Sequence, residues 1–243
     1  MAQYWFDITE WSDLSKLTLL DPSDPHPPTL ITHEGEDVLE VDSGCMGFTL
    51  NDIPSVSDCV IAVELYMYDV GPTDTDRRRV RGPAVRVNSD EQLYIVGRRG
   101  PVTSFRINRY LDGIGNAVVL DFSALDIWSW TALKAEGDAF SGYAWLGDIA
   151  DMPGAPAASA VDATFTSGLI GWGRADYSGA SYYVRKIAVG TDGDPAPTGP
   201  LSTTEAFALR HNPRTNKFIP VLSSPTVTDI GANCVRPRVT KGY

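Results

Sequence analysis

Thirteen consecutive residues, Asp58–Val70 (DCVIAVELYMYDV), alternate with a period of two. Cys59, Ile61, Val63, Leu65 and Met67 fall on one face, and Val60, Ala62, Glu64, Tyr66 and Tyr68 on the other. An amphipathic helix would need a 3.6-residue period, so aliphatic and aromatic residues in this order predict a long, half-buried strand. The same signal returns at Asp37–Asp42, Ala84–Asn88, Gln92–Val96, Thr103–Tyr110, Asn116–Phe122, Ile127–Ala135, Ser141–Leu146 and Ser181–Gly190. Gly71-Pro72, Gly82-Pro83, Gly100-Pro101, Asp112-Gly113 and Glu136-Gly137 punctuate the runs as turns. Only Ser12–Leu20 and Asp148–Met152 have room for a short helix. Roughly a dozen short strands in one block imply an all-β chain, a two-sheet antiparallel jelly-roll sandwich.

A chain of 243 residues with 43% apolar content can bury a full core. No run of about 18 apolar residues offers a membrane-spanning helix. Met1–Tyr4 lacks a basic start and an apolar core, and Asp7 and Glu10 follow early, so no secretory signal is expected. A net charge of −11 argues against nucleic acid as a partner. The charge is uneven: residues 201–243 hold six bases and two acids, and the rest hold 14 bases and 29 acids. Such asymmetry suggests parts with different partners. The expected organisation is a sandwich over 1–195, a Pro/Gly linker at 196–200 within Asp192–Pro200 (DGDPAPTGP), and a basic β-rich docking extension over 201–243. In that extension Phe207–Arg210, Phe218–Leu222, Thr226–Ile230 and Arg236–Lys241 read as strands. Arg210, Arg214, Lys217, Arg236 and Arg238 are its docking charges. Forty-three residues build little core alone, so a neighbour or another subunit is the expected support.

Chemistry-bearing patterns are sparse. Cys45, Cys59 and Cys234 have no zinc spacing and read as buried small hydrophobes. Glu34, Glu36, Glu40 and Asp42 share one parity, but Cys45 stands where a third carboxylate of a hydrolase triplet would fall. His26, His33 and His211 lie in or beside loops, and no Ser has a nucleophile-elbow context. No catalytic residues, cofactor or metal site are therefore assigned; calcium has only turn acids to draw on, Asp192 and Asp194 or Asp69, Asp74 and Asp76. Arg77, Arg78, Arg79 and Arg81 open a run of nine arginines that ends at Arg109. Anion binding, pairing with acids of this chain or a second subunit, and a solvated face are all compatible with that run. Trp128 and Trp130 share a strand face. With Tyr66 and Tyr68 they are the candidate carbohydrate contacts, since exposed rings stack on sugars, although filling the core is the other use of such rings.

The stretch Gly168–Gly173 (GLIGWG) and the run Ser181–Pro197 (SYYVRKIAVGTDGDPAP) resemble the closing strands of lectin-like proteins of tailed bacteriophages. Tyr4–Leu14 looks like that family's first strand, and Tyr143–Asp148 like its strand before the closing pair. The tail, with Pro225–Gly231 (PTVTDIG) and Arg236–Thr240 (RPRVT), resembles short phage structural modules. The resemblance implies a concanavalin A-like (laminin G-like) jelly roll in a non-enzymatic virion structural protein of the tail tip, fibre or capsid surface. Such a protein is assembled in the host cytoplasm, contacts other virion proteins, forms a homo-oligomer and adheres to host surface polysaccharide. A decoration or adaptor protein without glycan affinity, and a depolymerase, are the competing roles.

Overall fold

In the computed structural model, residues 2–69, 80–99, 104–115, 117–120, 122, 126–175 and 181–201 are described, with the backbone of 207–212 and 217–222. The chain divides into two units, Met1–Pro200 and Leu201–Tyr243. The first is an antiparallel two-sheet jelly roll.

The Asp58–Val70 run forms β6 (Cys59–Asp69), near the middle of the first sheet. Around it stand β1 (Ala2–Asp7), β3 (Thr29–His33), β4 (Glu36–Val41), β12 (Trp128–Glu136), β13 (Ala139–Trp145), β14 (Ala158–Val161) and β16 (Ser181–Thr191). Their order is β14-β13-β12-β6-β16-β4-β3, with β1 also on β16. The second sheet is built from β2 (Leu17–Leu19), β5 (Gly47–Leu50), β7 (Val80–Val87), β8 (Tyr94–Arg99), β9 (Ser104–Arg109), β10 (Asp112–Gly113), β11 (Val118–Val119) and β15 (Leu169–Ala175). Its order is β10-β9-β8-β7-β15-β5-β2, with β11 also on β9.

The inward parity of β6 meets the second sheet. Ile61, Val63, Leu65 and Met67 share one core with Phe48, Val85, Val96, Phe105, Ile107 and Trp172. The GLIGWG motif is explained by close approach within the second sheet. A Cβ on Gly171 would stand 2.0 Å from the Phe48 carbonyl oxygen, and one on Gly173 would stand 2.4 Å from Leu93. Glycine lets three strands close there while Trp172 points into the core and meets Tyr182 edge-on at 5.4 Å.

Two local expectations change. Ser12–Leu20 is no helix: Leu17–Leu19 pairs with Phe48–Leu50, and the 3₁₀ turn lies earlier, at Ile8–Glu10, where the Asp7 carboxylate accepts from the Thr9 amide. Within the strand expected at Asn116–Phe122, the described residues form only the two-residue β11, Val118–Val119. The Pro/Gly linker expected at 196–200, within Asp192–Pro200, borders the outer face of the first sheet. Gln3 donates to the Pro195 carbonyl, and Ala196 packs with Trp130 and Tyr143.

Among the described arginines of the run, three are buried. Arg81 is 1% exposed and donates to the Asp42 and Ser43 carbonyls. Its strand parity carries it inside, which corrects its assignment as an anion or subunit contact. Arg86 and Arg98 are buried too, and Arg109 pairs with Asp112 and Asp162. Arg77, Arg78 and Arg79 lie outside the described residues.

Cys45 and Cys59 are free and buried. Burial pushes their thiols up, to about 11 and about 12. The unfolded chain ionises these thiols from about pH 9 while the folded chain keeps them protonated, so the unfolded state then binds fewer protons. Their contribution is complete below pH 9 and is lost as pH rises towards 11–12. Arg98, lowered to about 10 by burial, acts in the opposite direction above pH 10. Denaturant midpoints measured from pH 8 to 10 are expected to fall less steeply in a Cys45→Ala/Cys59→Ala variant than in the parent; equal slopes would contradict this assignment.

The second unit contains one described hairpin, β17 (Phe207–Asn212) paired with β18 (Lys217–Leu222), with His211 opposite Phe218. Arg210 stands opposite Ile219, and Lys217 opposite Asn212. Arg214, Arg236 and Arg238, and the strands expected at 226–230 and 236–241, lie outside the described residues.

Candidate functional site

The outer face of the first sheet carries the chemistry. Its outward parity on β6 presents Glu64, Tyr66 and Tyr68. Cross-strand register then sets Trp128 (β12), Tyr66 (β6), Tyr183 (β16), Glu40 (β4) and Thr29 (β3) in one row across five strands.

Two irregularities in the β6–β16 ladder enrich this row. Between Ser181 and Tyr182 the register slips, so Tyr68 is an extra residue and joins Tyr66 in flanking Tyr183. Tyr68 stacks on Tyr183 at 4.1 Å and 14°, and Tyr66 lies 6.0 Å away at 22°. Between Val184 and Lys186 a second slip makes Arg185 the extra residue, so both cations stand beside Glu64. Re-aiming of side chains is the usual consequence of a bulge.

The β3–β4 hairpin completes the platform. Glu34 (φ 53°) and Gly35 (φ 88°) form its two-residue turn, both in the left-handed region that such tight hairpins require. At its tip His33 comes within 4.4 Å of the Tyr183 ring, 4.9 Å of Tyr66 and 6.2 Å of Trp128. Trp128 in turn lies 5.5 Å from Tyr66. The result is a continuous ladder of five half-buried rings.

Hydrogen-bonded charge frames the ladder. Arg185 grips Glu64 through Nε and Nη2, both at 2.8 Å, reaches Glu36 through Nη1 at 3.1 Å, and lies 4.4 Å over the Trp128 ring. Lys186 adds a 3.3 Å ion pair to Glu64, which is 5% exposed. Glu64 holds the Arg185 guanidinium protonated well above its usual range. Tyr68 donates to Glu40 at 2.7 Å; burial and that bond hold its phenol protonated beyond the usual range. Planar apolar faces bordered by fixed acceptors and donors match a sugar ring, which has one C–H face and a hydroxyl rim.

Tyr66, Tyr68 and Trp128, chosen from sequence, are brought together here. Trp130 is not at the surface: it is 2% exposed and stacks on Trp145 at 6.0 Å and 12°. The 3₁₀ turn Ile149–Asp151, held by an Asp148 capping box, closes over that pair. Trp130, a candidate carbohydrate contact by sequence, is packed into the base beside the ladder.

His33, Glu64, Tyr183 and Arg185 escaped the sequence reading, because each matters only through the strand beside it. The SYYVRK run held the available signal, since Tyr183 and Arg185 share one parity. Asp192 and Asp194 lie in the turn after β16, and among the described residues no three His, Cys, Asp or Glu side chains gather to hold a metal. Among those residues, too, no helix is long and apolar enough to cross a membrane.

No protein-family model matches the chain, and no curated protein matches it. Solved structures do. A Bacillus subtilis protein of unknown function with a galectin-like fold superposes with a TM-score of 0.50 at 8% identity, covering 77% of this chain and 94% of that one. Lectin II from Ulex europaeus gives 0.50 at 8% identity, over 77% and 97%. The GH43 protein BlXynB from Bacillus licheniformis gives 0.53 at 10% identity, over 77% of this chain but 39% of its own. The fold is that of the lectin-like jelly rolls.

Proposed function

We propose that this protein is a non-enzymatic carbohydrate-binding lectin whose ring ladder holds a polysaccharide. The ladder of Trp128, Tyr66, His33, Tyr183 and Tyr68 carries this reading, and the lectin-like fold supports it. Glu64 and Glu36 share one guanidinium, and Glu64 also holds Lys186.

The phage-like phrasing of residues 168–197 and of the tail supports a place on a virion surface, assembled in the host cytoplasm and displayed to host polysaccharide. Residues 201–243, with six bases and two acids, then dock on an acidic neighbour in the particle. Single-site contacts of this kind are weak, and many copies strengthen them by raising effective concentration.

The test is binding of the purified protein to host cells and to extracted surface polysaccharide at low and high salt. Saturable, sugar-competable binding that survives high salt is expected, because stacking is not screened as ion pairs are. Trp128→Ala should weaken it at least about tenfold, the loss of a moderate contact. Absence of binding in both assays would leave a structural virion component.

A further inference from the structure

Beside the ladder lies a polar pocket of about 390 Å³ that the ring stack does not use. Trp5 and Trp130 line it on the sheet side, the turn at Gly147–Ile149 forms one wall, and Thr198–Pro200 forms another. Glu64 and Arg185 belong to both features: they line the pocket, and the same guanidinium covers Trp128. The pocket and the ladder are thus adjoining parts of one surface, separated by a single ion pair.

We infer that this pocket is a second subsite, taking one uncharged sugar ring of a glycan whose following residues lie on the ladder. The inference rests on the carbohydrate-binding reading above. Its volume falls within the range of small-ligand clefts, and an indole wall with polar groups around it is the lining that a hydroxylated ring needs.

Charge selects the ligand class. The pocket holds three acids, Asp7, Glu64 and Asp148, and two bases, Arg185 and Lys186. Both bases are already paired with Glu64. A sulfate, phosphate or uronate group would have to compete with Glu64 for those cations, and would face Asp7 and Asp148 as well. Sugar hydroxyls make no such demand. They can donate to carboxylate oxygens and accept from the Lys186 ammonium with every ion pair intact. Trp5 lines the pocket, and its buried indole N–H has no acceptor among the described residues.

Calorimetry on the full chain tests this with neutral glucan, xylan, mannan and chitin fragments of one to six residues, alongside sulfated and uronate-bearing counterparts. Affinity is expected to rise with length and to be at least tenfold weaker for the charged series. Thr198 is exposed, so Thr198→Trp plugs the pocket without touching the core. It should reduce affinity for the longer neutral fragments about tenfold and leave the melting temperature unchanged. Gly199→Trp, on the same wall, is the second plug should the first variant fold poorly. If both plugged variants bind like the parent while Trp128→Ala does not, the pocket is no subsite and the lectin reading stands. Equal or tighter binding of the charged series overturns the ligand class. Failure of every fragment and of the extracted polysaccharide to bind overturns both readings.

Discussion

Replacing Arg86 by Met is expected to destabilise the sandwich by about 3 kcal/mol, for the loss of three hydrogen bonds from one buried charged donor, partly offset where water reaches the freed carbonyls. Arg86 is 1% exposed and fastens three loops. Its Nε donates to the Ser57 carbonyl at 3.0 Å, Nη1 to Phe165 at 2.9 Å, and Nη2 to Gly137. Asp58 stands 3.8 Å from the same guanidinium and itself accepts from the Gly137 amide. The Phe140 ring lies 5.0 Å below the charge. Met matches the apolar stem and removes every donor, so three loop carbonyls lose the buried cation that ties them together. The residue also adopts φ 52°, a left-handed conformation that a non-glycine residue holds only when its surroundings enforce it. For a domain of this size the loss corresponds to about 6–12 °C in Tm. Chemical denaturation of the purified variant checks it, and a change under about 1 kcal/mol would show that the loops are held by other means. Arg86→Lys keeps the charge with fewer donors and should fall between the two.

Tyr183→Ala should produce the largest loss of carbohydrate affinity, about 30-fold, equivalent to about 2 kcal/mol for the central ring of a contact surface. Tyr183 is the ring on which the ladder converges, 4.1 Å from Tyr68, 4.4 Å from His33 and 6.0 Å from Tyr66. Removing it opens a gap in the middle of the row, which neighbouring rings cannot close from neighbouring strands. Tyr183→Phe retains the stacked face and should stay within about threefold of the parent. Titration with the extracted polysaccharide measures both. An alanine variant as tight as the parent would place the binding surface elsewhere. The adjacent Tyr182 faces the core beside Trp172, so an unchanged Tm is the control that the sheet itself is intact.

Much of this site was legible before any coordinates. The two faces of Asp58–Val70 follow from alternation alone, because side chains of a strand must point to opposite sides. That rule puts Tyr66 and Tyr68 outside and Met67 inside. Parity also puts Trp128 and Trp130 on one face, and they are on one face. Parity is silent on what covers a face. Trp145, opposite Trp130 on the other strand of the same hairpin, and Ile149, in the turn that follows, bury Trp130 while leaving Trp128 half-open. Arg81 makes the same point from the other side. Its place in an arginine-rich run suggested a surface, but β7 carries it inward to the carbonyls of Asp42 and Ser43.

By itself the sequence determined the class of fold, the strand faces and the distribution of charge, since each depends on residues within a few positions of one another. The tertiary structure alone decided which strands became neighbours. β16 lies against β6 across more than a hundred residues of chain, and only that pairing sets Tyr183 between Tyr66 and Tyr68 and Arg185 against Glu64. The two register slips that create the ladder are properties of the pair, not of either strand. A binding surface made of cross-strand rows exists only once hydrophobic burial has chosen the strand order.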